Sequence, residues 1–128
     1  MHTAKNDHQF LPSPTYSRVD DVAKSSGCSR PLIYKRIDAG LHVKPVKIHS
    51  RTSVFPTDEI EAQRKAEIFG LCETLTRQLV SLLEERRRHI FEDNCPTPQQ
   101  VVRHLASLKP DTKNIRVTWE DLIGVSAD

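Results

Sequence analysis

The chain has 128 residues, of which 37% are hydrophobic and 28% are charged, a composition that suits one ordinary globular domain and excludes wholesale disorder. Its three cysteines form no Cys-x-x-Cys pair, and no apolar run approaches the roughly 18 residues of a membrane span, so neither a zinc signature nor a transmembrane segment is expected. The N-terminus shows no signal-peptide core, and we expect a cytoplasmic protein with reduced thiols.

The net charge is only +2, but it is unevenly distributed along the chain. Residues 30–51 hold six basic residues and a single acid, which gives this segment a charge of +5 and leaves −3 for the rest. A concentrated basic segment on a nearly neutral protein indicates a polyanionic partner. Considered alone, the same charges are equally typical of a solvated surface.

The N-terminal part of the chain predicts an arm followed by a short helix. Residues 1–15 are polar, contain two prolines and show no periodicity, which is typical of a loose arm. Val19, Val22 and Ala23 then share one helical face by their spacing. Gly27 is the natural residue for the left-handed turn that ends this helix.

A second short helix is expected over residues 30–39. Ser29 is its predicted N-cap, because a serine hydroxyl can accept a hydrogen bond from a free backbone N–H of the first turn. Pro31 fits that turn, where no donor is needed, and Gly40 closes the helix. Two short helices joined by a tight, glycine-containing turn form a helix-turn-helix.

A small β-hairpin with one apolar and one basic face is expected next. Apolar and basic residues alternate over residues 43–49, and a second apolar run at 54–55 follows a polar turn. Pro45 restricts its strand to an edge, which suits a wing. Thr57 is then the expected N-cap of a further helix.

A long helix is expected over residues 68–93, because apolar residues recur at spacings of four and three. The seam covers only about two heptads, so it fits either a dimerisation helix or a helix laid across its own domain. We favour a homodimer, because so small a domain offers little apolar surface to cover the seam. The seam residues are Ile68, Cys72, Leu75, Leu79 and Leu82.

Residues 94–128 predict a small C-terminal module with both helix and strand. Thr97 begins one more capped helix, Ile115, Val117 and Trp119 alternate like a short strand, and residues 119–123 also fit a helical turn. Nothing in these residues indicates what the module binds, and a protein partner stays open. The predicted fold is therefore mainly α: a winged helix-turn-helix, then a long helix, then a small α/β tail.

Two motifs are the most specific features of the chain. They are the turn and helix Gly27-Cys28-Ser29-Arg30 … Ile33-Tyr34-Lys35-Arg36-Ile37 and the wing Lys44-Pro45-Val46-Lys47-Ile48. With these motifs, residues 16–67 resemble the AlpA-type prophage regulators, within the broader group of excisionase-like and MerR-like winged helix-turn-helix domains. Family members are often only about as long as this matched region, so the residues that follow it are an addition.

The resemblance implies a DNA-binding protein of a bacterium or a phage. Members of the family act as transcriptional regulators or recombination directionality factors of mobile elements. By analogy, the second helix would lie in the major groove and the wing along the backbone or in the minor groove. The contacts carried over by position are Ser29, Arg30, Tyr34 and Lys35 for the helix and Lys44, Lys47 and Arg51 for the wing, and the basic pattern adds Arg36 and His49.

The sequence departs from the family pattern at the base of the wing and in the helix after it. It reads Leu41-His42-Val43 where the family tends to have Phe-Pro after the glycine. Phe55 and Gln63 stand where, or near where, the family commonly has tryptophan. These differences bear on the geometry of the wing more than on the helix-turn-helix.

Arg30 is the residue we expect to read a base, because a guanidinium can bond the N7 and O6 atoms of guanine together. A contact from Arg30 to a phosphate is almost equally consistent with the sequence. The other basic residues fit phosphate contacts, and Tyr34 fits either a phosphate contact or packing against the wing. One such module makes few contacts, so we expect a second copy on an adjacent half-site.

The function predicted from the sequence is sequence-specific binding of double-stranded DNA by a transcriptional regulator. The alternatives are a recombination directionality factor (excisionase) and a DNA-recognition subunit of a larger complex, such as a small terminase subunit. No His-Glu-x-x-His, nucleophile elbow, phosphate loop or paired carboxylates occur in the chain. We therefore expect no enzyme activity, no catalytic or metal-binding residues and no cofactor.

Overall fold

The computed structural model describes residues 15–108 and 116–127. Within them the chain is mainly helical, as predicted, with six helices and one small antiparallel sheet of three strands. The predicted arm lies outside the described residues up to residue 14. In chain order the elements are β1 (Tyr16–Ser17), α1 (Val19–Ser26), α2 (Arg30–Asp38), β2 (Val46–His49), β3 (Thr52–Pro56), α3 (Thr57–Phe69), α4 (Glu73–Arg86), α5 (Pro98–Ala106) and α6 (Trp119–Ala127).

The first two helices begin and end where the sequence predicts. Gly27 ends α1 in the left-handed conformation, with φ 73°, which an L-residue adopts only at a steric cost. The hydroxyl of Ser29 then accepts a hydrogen bond from the backbone N–H of Leu32 at 3.2 Å and so caps α2. The two helices contact each other, and their buried residues are Val22 in α1 and Ile33 in α2.

The hairpin of β2 and β3 forms as predicted but is shorter at its start. Val43 is fully buried and does not join a strand, because its backbone N–H donates to the side chain of Gln63 at 2.7 Å. The ladder instead begins with Val46 opposite Val54 and is irregular between Lys47 and His49.

A third strand, β1, completes the sheet on the far side of β3, giving the order β1-β3-β2. This strand was not predicted, since two residues are too short to show an alternation. The prediction that Thr57 is the N-cap of α3 is wrong. Its hydroxyl lies 2.9 Å from the hydroxyl of Ser17 in β1, and Pro56 occupies the N-cap position.

The single helix predicted over residues 68–93 is wrong. Gly70, with φ 92°, ends α3 by donating its N–H to the carbonyls of Ala66 and Glu67. Cys72 is extended, and α4 starts after it and ends at Arg86. The apolar spacing continues across this break, which is why the pattern alone suggested one helix.

The five seam residues therefore do not form one face. Leu79 and Leu82 are buried within the chain's own core and Leu75 is partly buried, whereas Ile68 is 80% exposed and Cys72 is also exposed. α4 packs against its own neighbours, α3, α5 and α6, which is the alternative that the sequence left open for this segment.

The C-terminal segment is helical where it is described. Thr97 caps α5 as predicted, with its hydroxyl accepting from the N–H of Gln100 at 3.2 Å, and the Gln100 side chain in turn accepts from the N–H of Thr97 at 2.8 Å. The predicted strand is wrong for Val117 and Trp119, because Val117 precedes α6 without strand pairing and Trp119 begins that helix, whereas the helical turn predicted over residues 119–123 is confirmed. Ile115 lies outside the described residues.

Buried side chains from β3 and all six helices join one hydrophobic core. α3 lies at its centre, between the sheet on one side and α4 and α5 on the other. His89, after α4, stacks on the ring of Trp119 with centroids 4.5 Å apart. Over the part of the chain that is described, no helix combines the length and the apolar character needed to cross a membrane.

Candidate nucleic-acid interface

The helix α2 has one buried and one exposed side. Ile33 points into the core, and Lys35 lies about 200° away from it around the helix axis. Arg30, Tyr34 and Lys35 are all exposed. The side chains predicted to contact DNA from this helix are therefore accessible, with the exception of Arg36.

Arg36 lies on the inner side of α2 and is held by α3. Its guanidinium is 3.2 Å from the carboxylate of Glu67 and is only partly exposed. Arg64 of α3 donates a hydrogen bond to the hydroxyl of Ser25 at 2.7 Å. α3 thus contacts both α1 and α2, and the charge of Arg36 is paired with Glu67 and is not free.

Arg30 is held by the other helix of the pair. Its Nε lies 3.4 Å from Oδ1 of Asp20 in α1, and both side chains are well exposed. The two terminal nitrogens of Arg30 make no ion pair with any described residue and remain available to a ligand. Ser29 is also exposed, and its hydroxyl, which accepts from Leu32, keeps its own hydrogen for donation.

The hairpin carries the second set of predicted contacts. Lys47 and His49 in β2 and Arg51 in the turn are exposed. None of these three forms an ion pair with a described residue. The predicted apolar face is only partly covered, because Ile48 is exposed, and the irregular pairing after Lys47 accounts for this departure from strict alternation.

Lys44 precedes the hairpin, and side chains near the end of α4 hold its backbone. Its N–H donates to a carboxylate oxygen of Glu84 at 2.9 Å, and its carbonyl accepts from Nη2 of Arg87 at 2.7 Å. Its own side chain is exposed. We refer to Glu84, Arg87 and the Lys44 backbone as the wing clamp.

Arg87 is itself anchored to α3. It donates to both carboxylate oxygens of Glu59, from Nη2 at 2.7 Å and from Nε at 3.1 Å, and Glu59 is 1% exposed. Burial raises the pKa of Glu59, and the hydrogen bonds from Arg87 oppose that rise. Sequence reasoning missed this pair, because Glu59 is also explained by its place in the first turn of a helix and no spacing rule links it to Arg87.

His42 lies between α2 and the hairpin. It is buried, it packs edge-on against Phe55 at 5.3 Å, and its Nδ1 donates to the carbonyl of Val43 at 2.8 Å. Burial lowers the pKa of His42. Together with Gln63, which accepts from the N–H of Val43, these residues are the positions where the sequence departs from the AlpA-type pattern, and they contact one another.

The chemistry that this surface offers is charge neutralisation and hydrogen bonding. Lys35, Lys44, Lys47 and Arg51 are exposed cations without an acidic partner in the described part of the chain. Residues 15–108 and 116–127 contain no cluster of three or more His, Cys, Asp or Glu side chains that could hold a metal ion.

No protein-family model, no curated protein and no solved structure matches this chain. The resemblance to the AlpA-type regulators thus stays a prediction from the residues quoted for it.

Proposed function

We propose that the chain is a sequence-specific regulator that binds double-stranded DNA as a winged helix-turn-helix. α2 would enter the major groove, and the hairpin of β2 and β3 would lie on the sugar-phosphate backbone. The observation that carries the proposal is the set of exposed cations on α2, on the hairpin and just before it, four of which have no acidic partner among the described residues. They are Arg30, Lys35, Lys44, Lys47 and Arg51.

A polyanion neutralises exposed cations that have no acidic partner of their own. Each phosphate that they neutralise releases counterions and steepens the fall of affinity with salt by about 0.9 in a log–log plot. The cations other than Arg30 would supply this sequence-independent part of the affinity. The hydroxyl of Tyr34 would donate to a phosphate as well.

Arg30 would supply the sequence-dependent part. A guanidinium that bonds N7 and O6 of a guanine contributes about 1–3 kcal/mol of discrimination against other bases. Arg36 has no such role in the proposal, since Glu67 and α3 hold it.

A homodimer on two half-sites is part of the proposal, because one module makes few contacts. Leu79 and Leu82 are buried and cannot contact a second copy. The apolar residues left exposed near the predicted seam are Ile68 and Phe69, at the end of α3, and we expect the contact between copies there.

The direct test is selection of duplexes from a randomised pool, followed by fluorescence-anisotropy titration of the selected and a scrambled duplex at several salt concentrations. We expect preferential binding to the selected duplex, and loss of that preference in Arg30→Ala/Lys35→Ala. The matched control is Lys65→Ala/Arg103→Ala, which removes two exposed charges from α3 and α5. Weak binding that is equal on all duplexes and disappears as salt rises would refute the proposal.

A second candidate, a DNA-recognition subunit of a larger complex, is favoured by one observation. Phe91 is 98% exposed, next to the exposed Ile90, which lines a groove of about 520 Å³ together with Tyr16 and Val46. Exposed apolar side chains around a groove are typical of protein contacts. A chain that stays monomeric on DNA and binds it weakly in the same titration would favour this candidate.

A further inference from the structure

The wing clamp joins the hairpin to the C-terminal helices. Lys44 lies two residues before β2, and both of its backbone polar groups bond to side chains at the end of α4, at 2.9 Å to Glu84 and 2.7 Å to Arg87. The pairing of β2 with β3 begins only at Val46. The start of the hairpin is therefore fixed by α4 and not by the sheet.

The two clamp residues that contribute side chains, Glu84 and Arg87, are fixed relative to the core. Arg87 is bound through two nitrogens to Glu59, which is almost completely buried in α3. Leu83, one residue before Glu84, is fully buried as well. The positions of Glu84 and Arg87 follow from how α4 packs, and the position of the hairpin follows from theirs.

Neither clamp residue needs to contact DNA itself. Glu84 is an acid and would be repelled by phosphate, and the charge of Arg87 is matched by Glu59. What they control is where the chain turns into the hairpin that carries Lys47 and Arg51.

We propose that Glu84 and Arg87 are positioning residues for the wing, through which the packing of α4 determines whether the hairpin cations reach the DNA backbone. This inference rests on the proposed function. It gives the residues after the AlpA-like region a defined task, which is to hold the wing, and it makes α4 the route by which an event at the C-terminal helices alters DNA binding.

The test compares Glu84→Ala with Glu84→Gln in the full-length chain. Both variants remove the same negative charge, but the glutamine oxygen can still accept the hydrogen bond from Lys44. In Glu84→Ala we expect the Lys44 amide to exchange with deuterium about tenfold faster or more, since a hydrogen bond to a charged acceptor is lost. Glu84→Gln should stay close to the parent chain, and a thermal melt checks that both variants are folded.

DNA titration distinguishes a role in positioning the wing from a purely structural role, which would leave the salt dependence of DNA binding unchanged. Loss of an acid should by itself strengthen DNA binding. If the wing is mispositioned, Glu84→Ala instead binds more weakly, and the slope of log affinity against log salt falls by about 1.8, the value for two lost phosphate contacts. Lys47→Ala/Arg51→Ala gives the reference slope for a wing that makes no such contacts.

The outcomes separate the two proposals. Unchanged exchange and an unchanged salt slope in Glu84→Ala overturn the positioning role while the proposed function stands. Faster exchange with an unchanged slope overturns it too, because the clamp would then order the hairpin without affecting DNA binding. If the parent chain binds no duplex preferentially, the proposed function fails, and the inference fails with it.

Discussion

Arg87 donates two hydrogen bonds to the carboxylate of Glu59, although 28 residues separate them in the chain. Glu59 belongs to the helix that follows the hairpin, and Arg87 follows α4. Because Glu59 is buried, its charge is tolerated only while Arg87 accompanies it. The pair therefore links α3, which follows the hairpin, to the end of α4. Removing only one of its two partners costs free energy of folding.

Removing one partner of this pair should cost far more stability than removing both. We expect Arg87→Ala to lower the free energy of unfolding by about 3 kcal/mol, because it leaves a buried carboxylate uncompensated. Glu59→Met/Arg87→Met should recover most of that loss, since two apolar side chains leave no buried charge. Denaturant titration measures both variants, with Arg88→Ala as the exposed control.

The loss of unfolding free energy in Arg87→Ala should also become smaller as the pH falls from 7 toward 5. Burial raises the pKa of Glu59, so its protonated form suits the folded state, and removing Arg87 removes what opposes that rise. An Arg87→Ala variant as stable as the parent chain at pH 7 would contradict this account of the pair.

His42 should make the fold less stable in mild acid. Its pKa in the folded state lies below the ordinary 6.5, mainly because of burial and with a contribution from Arg36. The hydrogen bond to the Val43 carbonyl and the charges of Glu67 and Glu84 oppose the change. Below pH 6.5 the unfolded chain therefore binds a proton that the folded chain does not, and stability falls by at most about 1.4 kcal/mol per pH unit from this group.

The check is the free energy of unfolding at pH 7.5 and pH 5.5 in the parent chain, in His42→Gln and in His49→Gln. We expect His42→Gln to flatten the pH dependence and His49→Gln, on the exposed hairpin, to retain it. Equal slopes in the parent chain and His42→Gln would assign the acid sensitivity to other groups.

Asp20 should affect base preference and general affinity in opposite directions. Its carboxylate holds one edge of Arg30 and leaves the terminal nitrogens free for a guanine. We expect Asp20→Asn to bind a scrambled duplex more tightly, because one negative charge is gone, and to lose part of the roughly 1–3 kcal/mol of preference that Arg30 provides.

Asp21→Asn is the matched control for Asp20→Asn. Asp21 is the adjacent exposed acid, and it accepts from the backbone N–H of Arg18, which an asparagine oxygen can also do. It should show the gain in general affinity without the loss of preference. If both variants keep the preference of the parent chain, Asp20 does not orient Arg30 for base contact.

Leu79 should behave as a core residue and not as a dimer contact. It is fully buried within one chain, so Leu79→Ala should lower the free energy of unfolding by about 2–5 kcal/mol. That loss should be the same at low and high protein concentration, since an interface residue would make stability depend on concentration. The exposed Ile68 supplies the comparison: Ile68→Ser should leave stability nearly unchanged and weaken any self-association.

Local signals in the sequence predicted local structure well. The cap at Ser29, the turn at Gly27 and the reciprocal cap of Thr97 each depend on residues within a few positions of one another, and all three are present. The period-two pattern likewise predicted the hairpin, but it erred at Val43, which bonds to the distant Gln63, at Ile48, which is exposed, and at Trp119, which begins a helix.

The features that sequence reasoning missed are those in which the partners are far apart. The apolar spacing from Ile68 to Leu82 is real, but Gly70 divides it, and tertiary packing decides which members are buried. The wing clamp and the Glu59 pair depend on how α4 lies against α3, and no pattern of spacing in one chain specifies that placement. Arg36 shows the same limit within the candidate site, because only the fold reveals that Glu67 holds it.

Trp119 is the one tryptophan of the chain, and it is buried where α6 meets the end of α4, stacked on His89. Its indole N–H has no hydrogen-bond partner among the described residues. The one tryptophan of the protein thus lies among the C-terminal helices, and neither α2 nor the hairpin, which are proposed to bind DNA, contains one. Its emission, excited selectively over tyrosine, would reveal whether DNA binding changes the surroundings of Trp119, with no label attached.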